Sequence, residues 1–376
     1  MAGSVAHLVG EYLGFTETFL DRQFRAFRRY EPWIYAERAT QLRRFPTDRL
    51  STLPAGPAAR LWAGAVSAHW NPWFLPLMRR RETRVVHAHY GTTAVKALPF
   101  VWRQRWPLVA SFYGYDVGYL QAMWRHPGHW RYGAGVRLLF RDAGRLLVLS
   151  NAMRDDLVAL GAPPARIEVH RNGVDLARFR PPPGGPPNGV PAVLLCGWEV
   201  EKKGFAYGFE ALARLRDRGQ PFRVLYHTAA PGPLRPVLDR AIERLGLANR
   251  IERVPPDASP AEVMRRASLI LAPSVVAANG DREGVPTVLV EAAACGVPAV
   301  ASRHAGIPEI VVDGETGLLC PERDVGALAA ALLRLLDDAA LRRRFGEAAR
   351  ANVESGWDAA RIAERREEIY DEVQAP

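Results

Sequence analysis

At 376 residues the chain is longer than one hydrophobic core usually organises, and with 48% hydrophobic and 24% charged residues it is neither disordered nor fibrous. The formal charge of +10 sits wholly in the first half: residues 1–183 carry 26 Lys and Arg against 13 Asp and Glu, the remainder 24 against 27, and eight of the ten tryptophans lie in that half too. No run of about 18 uncharged apolar residues occurs, and residues 1–10 lack the basic region and apolar length of a signal peptide, so neither a membrane-spanning helix nor a leader is expected.

Short β-type runs alternate with longer helical patterns from end to end, which predicts parallel sheets with helical crossovers. In the first half Val5–Val9, Val85–Ala88, Leu108–Phe112, Arg145–Leu149 and Ile167–His170 read as strands. Thr16–Arg28, with Thr16 as its N-cap, and Asn151–Leu160 read as helices. Residues 180–191 hold Pro and Gly at most positions and can continue neither a helix nor a central strand, so they mark a linker. Beyond it Ala192–Cys196, Phe222–Tyr226, Ile251–Val254, Leu269–Ala272 and Ala299–Ala301 read as strands. Phe205–Arg218, Leu234–Leu245, Ala261–Ala267, Pro286–Cys295 and Val325–Leu336 read as helices, followed by a helical stretch from Ala339 to Val373 broken near Trp357.

The expectation is an α/β protein of two Rossmann-like domains, 1–180 and 181–355, with 356–376 a helix returning to the first domain and ligands bound at the carboxyl ends of the strands. Cys196, Cys295 and Cys320 are odd in number, lack Cys-x-x-Cys spacing and lie in apolar surroundings; buried thiols in a reducing, cytoplasmic compartment are expected. The basic, Trp-rich half has two readings. It is either an Arg-biased composition, 47 of the 50 basic residues being Arg, or a surface for anionic lipid at the inner face of the membrane or for a phosphorylated acceptor. No nucleic-acid-binding motif accompanies the charge, so nucleic acid is not expected as a partner.

The densest chemistry lies at Glu283-Gly-Val-Pro-Thr-Val-Leu-Val-Glu291. Pro286 suits the first turn of a helix that Gly296-Val-Pro298 closes, and Gly284 allows the backbone close to a ligand. Glu283 then lies on the entering loop and Glu291 more than a turn inside, on the same face as Thr287. Free N–H groups at the helix start can hold a diphosphate without a metal, and the two carboxylates can accept hydrogen bonds from hydroxyls on either side of it. By spacing alone, a loop carboxylate and a helix carboxylate with no ligand is the commoner arrangement, because paired acids are common.

The whole pattern, from Pro273-Ser274 through Gly280-Asp281-Arg282-Glu283-Gly284-Val285-Pro286 to Glu291-Ala292, Gly296-Val297-Pro298, Gly306-Ile307-Pro308-Glu309 and Asp313-Gly314, closely resembles the signature of glycosyltransferase family 4. Leu149-Ser150, Arg166-Ile167 and Asn172-Gly173-Val174-Asp175 extend the likeness, which covers most of residues 145–336. What it implies is a GT-B fold and retaining transfer of a hexose-type sugar from a nucleotide diphosphate sugar to a glycan, lipid-linked or small-molecule acceptor. No divalent metal or other cofactor is implied. In such enzymes Glu291 would bind ribose hydroxyls and Glu283 the transferred sugar, with Gly284, Val285 and Thr287 presenting backbone to the distal phosphate and Arg282 nearby. Retention there is drawn as same-face attack through an oxocarbenium-like state, which needs charge stabilisation at the leaving phosphate more than a protein nucleophile.

Two departures stand out. Where the family carries Gly-Arg-x4-Lys-Gly, this chain reads Gly197-Trp198-Glu199-Val200-Glu201-Lys202-Lys203-Gly204: Lys203 is kept, and Trp198 replaces the Arg. One lost charge-assisted contact costs about 1.5–3 kcal/mol. Lys202, Arg282 or Arg303 could substitute, and Trp198 could instead be a core residue. Ser111-Phe112-Tyr113-Gly114-Tyr115-Asp116 resembles the family's Phe-His-Gly-x-Asp with Tyr113 in place of the His; a phenol can position a sugar but is no imidazole acid or base.

His87-Ala-His89-Tyr90-Gly91 resembles a His-Ala-His-Phe-Gly strand end of exopolysaccharide-type, colanic-acid-like members, with His89 the group nearer the cleft and His87 packed. A metal reading of that pair lacks further ligands in the sequence. Gly14, Thr16 and Glu17, within Gly14-Phe-Thr-Glu-Thr-Phe19, resemble the Ser-Glu-Thr-Phe loop on the acceptor side; Glu17 either touches a hydroxyl or complements a helix start. The alternatives to polysaccharide assembly are glycosylation of a soluble natural product and a catalytically weakened relative that binds nucleotide or glycan.

Overall fold

The computed structural model describes residues 3–14, 18–53, 56, 71–121, 130–185 and 189–375. The chain divides into two compact units, one of residues 1–171 with 360–376, the other of residues 172–359.

The first unit is a seven-stranded, all-parallel sheet in the order β3-β2-β1-β4-β5-β6-β7. Its strands are β1 Ser4–Tyr12, β2 Glu31–Ala39, β3 Leu50–Thr52, β4 Thr83–His89, β5 Leu108–Ser111, β6 Arg145–Val148 and β7 Ile167–Val169. The near-continuous burial of β1, β4 and β5 follows from helices covering both faces of a parallel sheet. Alternation does not announce β2 and β3, because β2 itself contains Glu31, Glu37 and Arg38 and β3 is three residues long. Helices at Gly91–Gln104 and Trp130–Asp142 are likewise unannounced; the first contains Pro99 and opens on Tyr90 at φ 74° with no side-chain cap.

The C-terminal helix Ala359–Gln374 is tied to this unit by groups that leave little freedom. One oxygen of the buried Glu367 carboxylate accepts from the backbone N–H groups of Arg28, Arg29 and Tyr30 at 3.0, 2.7 and 3.0 Å. Arg365 grips Glu168 through two nitrogens at 2.8 and 2.9 Å, and Tyr370 lies buried against Phe27 and Tyr30.

The second unit has six parallel strands in the order β10-β9-β8-β11-β12-β13, the doubly wound arrangement of a Rossmann domain. They are β8 Ala192–Cys196, β9 Arg223–His227, β10 Ile251–Val254, β11 Leu269–Ala272, β12 Ala299–Ser302 and β13 Gly317–Cys320. Its core gathers Phe205, Phe209 and Leu212 of one helix, Leu328, Leu332 and Leu335 of another, and Phe345, against the strands. The changeover at Arg171/Asn172 precedes the Pro-rich run at 180–191 for a hydrogen-bonding reason. Val174 N–H donates to Trp357 O at 2.8 Å and Ala359 N–H to Val174 O at 3.1 Å, which joins the start of this unit to its end. Among the described residues no helix is long and apolar enough to cross a membrane.

Candidate active site

In the second unit the strand order reverses between β8 and β11, and ligands of such sheets lie outside the carboxyl ends of the strands at that point. The loops leaving these two strands, 197–204 and 273–286, carry the residues singled out in the sequence. Gly204 makes their approach possible: at φ 60° it is left-handed, and a Cβ there would stand 1.9 Å from Pro273 O. Val275 N–H donates to Lys202 O at 2.9 Å, and Lys202 Nζ meets Asp281 at 3.0 Å.

Within this frame Lys203 Nζ lies 2.7 Å from Glu283 Oε1, with Ser274 Oγ donating to the same oxygen at 3.3 Å. Glu283 is only 7% exposed. Burial pushes its carboxyl up, but the charges of Lys203 and Lys202 and the Lys203 hydrogen bond outweigh that and hold it below the ordinary carboxylate range. Buried Gly284 and Val285 lead into the helix Thr287–Ala294, whose start has no side-chain cap. Leu289 N–H turns back to Pro286 O at 3.0 Å, and the N–H groups of Thr287 and Val288 before it meet no side-chain cap, an arrangement that suits an anion. Half-buried Glu291 faces the end of β8: burial, then the Glu291 charge, drives the Cys196 thiol up to about 12. Glu283, Glu291, Thr287 and Lys203 thus share one end of one sheet.

Trp198 is 38% exposed, so the core-packing reading is corrected. The cause is its neighbour. Glu199 is fully buried, accepts from Tyr226 OH at 2.5 Å and Gly232 N–H at 2.7 Å, and ion-pairs with Arg235 without a directed hydrogen bond from the Arg235 Nε. With Glu199 fixed inward, the side chain before it points out. Two of the three cations that could replace the missing Arg are engaged elsewhere: Lys202 with Asp281 and Arg303 with Asp313 at 2.7 Å. Half-buried Arg282 stays beside Glu283 in the chain.

Sequence reasoning passed over His304 and Glu322. Buried His304 accepts from Glu283 N–H through Nε2 at 3.2 Å, while its Nδ1 meets Glu322 at 2.6 Å. Since a neutral imidazole carries one proton, Nδ1 donates to Glu322, and Glu322 fixes the tautomer that receives Glu283. Two residues on, Gly306 N–H donates to Gly284 O at 3.0 Å. Both sides of the Glu283-Gly284 segment are held by the loop after β12. The only sequence signal was position, between a strand and Gly306-Ile-Pro-Glu309.

In the first unit the loop after β1 begins at Leu13 and Gly14, pinned by Thr40 Oγ1 and Gln41 Nε2 donating to Leu13 O at 2.5 and 2.8 Å. Thr16 and Glu17, and the Thr16 cap, lie outside the described residues. His89 is fully buried, with Nε2 against His7 Nδ1 at 3.0 Å and Nδ1 against Tyr113 OH at 2.7 Å. It stands behind Tyr113, and the expectation that it faces the cleft itself is corrected accordingly. His87 is packed, between Tyr370 OH at 2.6 Å and Ser111 Oγ at 2.8 Å.

Half-buried Tyr113 packs at a tilt against Tyr90 and Phe19 just after β5. Asp116 below it clamps two loops, one oxygen accepting from Gly91 N–H and the other from Tyr113 and Gly114 N–H. Burial raises its carboxyl to about 6 despite those hydrogen bonds.

Comparison with known proteins places both units. Residues 19–178 match Glycosyltransferase Family 4 and residues 190–338 match Glycosyl transferases group 1. The putative colanic acid biosynthesis glycosyltransferase WcaL of Escherichia coli (strain K12) is 34% identical over 65% of this chain and 59% of its own length, so the chain spans about three fifths of that relative. Glycogen synthase of Mycobacterium tuberculosis is 32% identical over 76% of this chain and 68% of its own. Among solved structures, Anabaena Alr3699/HepE in complex with UDP and glucose superposes with a TM-score of 0.77 at 20% identity, covering 97% of this chain and 98% of that one, which shows the GT-B fold. With both Rossmann-like units matched and the Glu283 and Glu291 pattern in place, the chain belongs to glycosyltransferase family 4.

Proposed function

We propose that the chain moves a hexose-type sugar from a nucleoside diphosphate to a glycan or lipid-linked acceptor in polysaccharide assembly, with retention of configuration and without a divalent metal. The observation that carries this reading is the Lys203–Glu283 ion pair at 2.7 Å beside the uncapped start of the helix Thr287–Ala294. A diphosphate arriving there exchanges Lys203 from a carboxylate to a phosphate. Glu283 is thereby freed to accept from a sugar hydroxyl, and Glu291 at the other end serves the ribose.

Lys203 and the helix start supply the positive charge that a dication supplies in other transferases, and charge at the leaving phosphate is what a retaining, oxocarbenium-like path requires. The relatives named for colanic acid and amylovoran biosynthesis support polysaccharide as the acceptor class. Exposed Trp73 and Trp102, with exposed Arg79, Arg80, Arg103 and Arg105 on the same two helices or at their ends, support a working position at an anionic cytoplasmic membrane face. Co-sedimentation with anionic vesicles at low salt tests that part; recovery in the supernatant removes it.

Thermal shift against a panel of nucleoside diphosphates and their sugars tests the donor site. Stabilisation by one base and its loss in Glu291→Ala are expected; stabilisation by none overturns the reading. A second reading, a weakened binder of nucleotide or glycan, is favoured by Trp198 and Tyr113 standing where relatives carry charged or titratable groups. Sugar transfer that EDTA leaves intact and Glu283→Ala abolishes would remove it.

A further inference from the structure

Glu199, in the loop after β8, is a fully buried carboxylate that the donor chemistry leaves unused. Its side-chain partners all come from β9 or from the loop and helix that follow it. Oε1 accepts from the Tyr226 hydroxyl at 2.5 Å and lies 2.5 Å from Arg235 Nε, while Oε2 accepts from Gly232 N–H at 2.7 Å. Arg235 opens the helix Arg235–Arg244 and donates in turn to Thr228 Oγ1 at 2.8 Å. Burial, then the hydrogen bond to Glu199, pushes the Tyr226 phenol up, so the proton stays on the oxygen that donates. The main chain repeats the tie. Leu234 N–H donates to Glu199 O at 3.1 Å, and a Cβ on Gly232 would stand 2.6 Å from both Glu199 N and Glu199 O, so only glycine lets the two backbones meet.

An ion pair taken fully out of water gains little stability, because desolvation offsets most of the attraction. What it can fix is a single arrangement of the segments it joins. The segment fixed here is the one that carries Lys203. On one side of Glu199, Gly197 N–H donates to His227 O at 3.1 Å; on the other, Val200 N–H donates to Trp198 O at 2.9 Å and Lys203 N–H to Val200 O at 3.1 Å. The Lys203 stem folds back on this segment: a Cβ on Gly197 would meet its Cε at 3.3 Å and its Cδ at 3.5 Å. From that support Lys203 Nζ reaches Glu283 at 2.7 Å.

We propose that Glu199 is a positioning residue of the donor site: by clasping the loop after β8 to the loop after β9, it sets the backbone along which Lys203 extends and so aims the ammonium at the diphosphate. This rests on the reading of Lys203 as the phosphate-binding group for a nucleoside diphosphate. It accounts for a carboxylate buried beside a site for an anion, since Arg235 answers the charge of Glu199 and Lys203 is left to Glu283 and the ligand.

Calorimetry of UDP, GDP, ADP and dTDP with the full chain, with Glu199→Gln, with Lys203→Ala and with the two combined forms a double-mutant cycle. Low ionic strength keeps the weaker chains within reach of saturation. Glu199→Gln keeps the side-chain volume and an oxygen for Gly232 N–H, and removes the charge that holds Arg235. With Lys203 present it is expected to raise Kd about tenfold; in the Lys203→Ala chain it should change Kd by less than about twofold, because the ammonium it aims is gone. Equal losses in both backgrounds would make the clasp a support of the fold alone, and no loss in either would leave it without a role in binding; each overturns the proposal. Should Glu199→Gln not fold, Tyr226→Phe takes one hydrogen bond from the carboxylate and keeps the ring that packs against Phe205 and Phe209. About a threefold rise in Kd that Lys203→Ala cancels is then expected, and a rise that persists in that background overturns the proposal. Binding of none of the four diphosphates by the parent chain strikes the donor reading, and this proposal with it.

Discussion

Lowering the pH from 7.5 to 5 is expected to unfold the first unit from within. His7, His87, His89 and His170 are held neutral, chiefly by burial and then by one another and Arg366, and all lie well below their ordinary 6.5. A depressed imidazole contributes stability that is fully present above the unfolded value and is lost as pH falls through 6.5, because only the unfolded chain takes up the proton. Asp116 has the opposite sign. Raised to about 6 from 3.8, it is protonated in the folded state first, so it returns some stability on acidification between those values.

At pH 5.5 each unfolded imidazole is about nine-tenths protonated. Four of them, less most of one proton for Asp116, give a net uptake on unfolding of roughly three protons. The slope is then about 4 kcal/mol per pH unit, a large share of the 5–15 kcal/mol that typically holds a domain together. Guanidinium chloride titrations between pH 7.5 and 5 measure it, read by tryptophan fluorescence, since eight of the ten tryptophans fall in residues 1–183. A slope below about 1 kcal/mol per pH unit near pH 5.5 would refute the claim that these rings stay neutral and buried.

Four further outcomes follow from the second unit. Glu283→Ala leaves Lys203 unpaired and removes the sugar contact, and is expected to lower kcat by about a hundredfold or more with nucleotide binding kept, as measured by donor turnover beside calorimetry. His304→Phe keeps the ring volume but withdraws the acceptor from Glu283 N–H; donor KM should rise about tenfold. Glu322→Gln, which still accepts from His304 Nδ1, should stay within about threefold of the parent, and equal losses in both variants would point to packing rather than tautomer control. Gly204→Ala, with a Cβ at 1.9 Å from a carbonyl oxygen and φ 60°, should cost about 2 kcal/mol or more in urea titrations of the second unit.

The second unit was the more legible half because its signals are local. Strands of four or five apolar residues at regular spacing gave β8 to β12 within a residue or so, and Pro286 and Gly296 bracketed the helix between. What spacing could not supply was the company of Glu283. Its partners His304 and Glu322 come from loops after two other strands, and only the fold brings them within 3.2 and 2.6 Å of their neighbours in the chain of contacts. In the first unit β2 escaped notice because charges within it break the alternation, β3 because it is three residues long, and His7 because a histidine in an apolar run reads as packing. Its significance depends on parallel pairing of β1 with β4, which sets His7 opposite His87.

The two departures from the family pattern differ in physical kind. At position 113 the lost imidazole is replaced by a phenol whose hydroxyl lies 2.7 Å from the buried His89 Nδ1, so a polar group is kept there. At position 198 a lost charge is met by no such arrangement in the strand-end loops: Glu199 turns inward to hold Tyr226, Gly232 and Arg235, and Lys202 and Arg303 already answer Asp281 and Asp313. A tryptophan facing outward there offers a flat apolar surface, suited to a base or a sugar face and poor at neutralising phosphate. Trp198→Arg is therefore expected to tighten nucleoside diphosphate binding about tenfold or more, with the gain shrinking as salt rises. Calorimetry with the free diphosphate is the measurement, and a variant that binds no better would mean that Arg282 already supplies the charge.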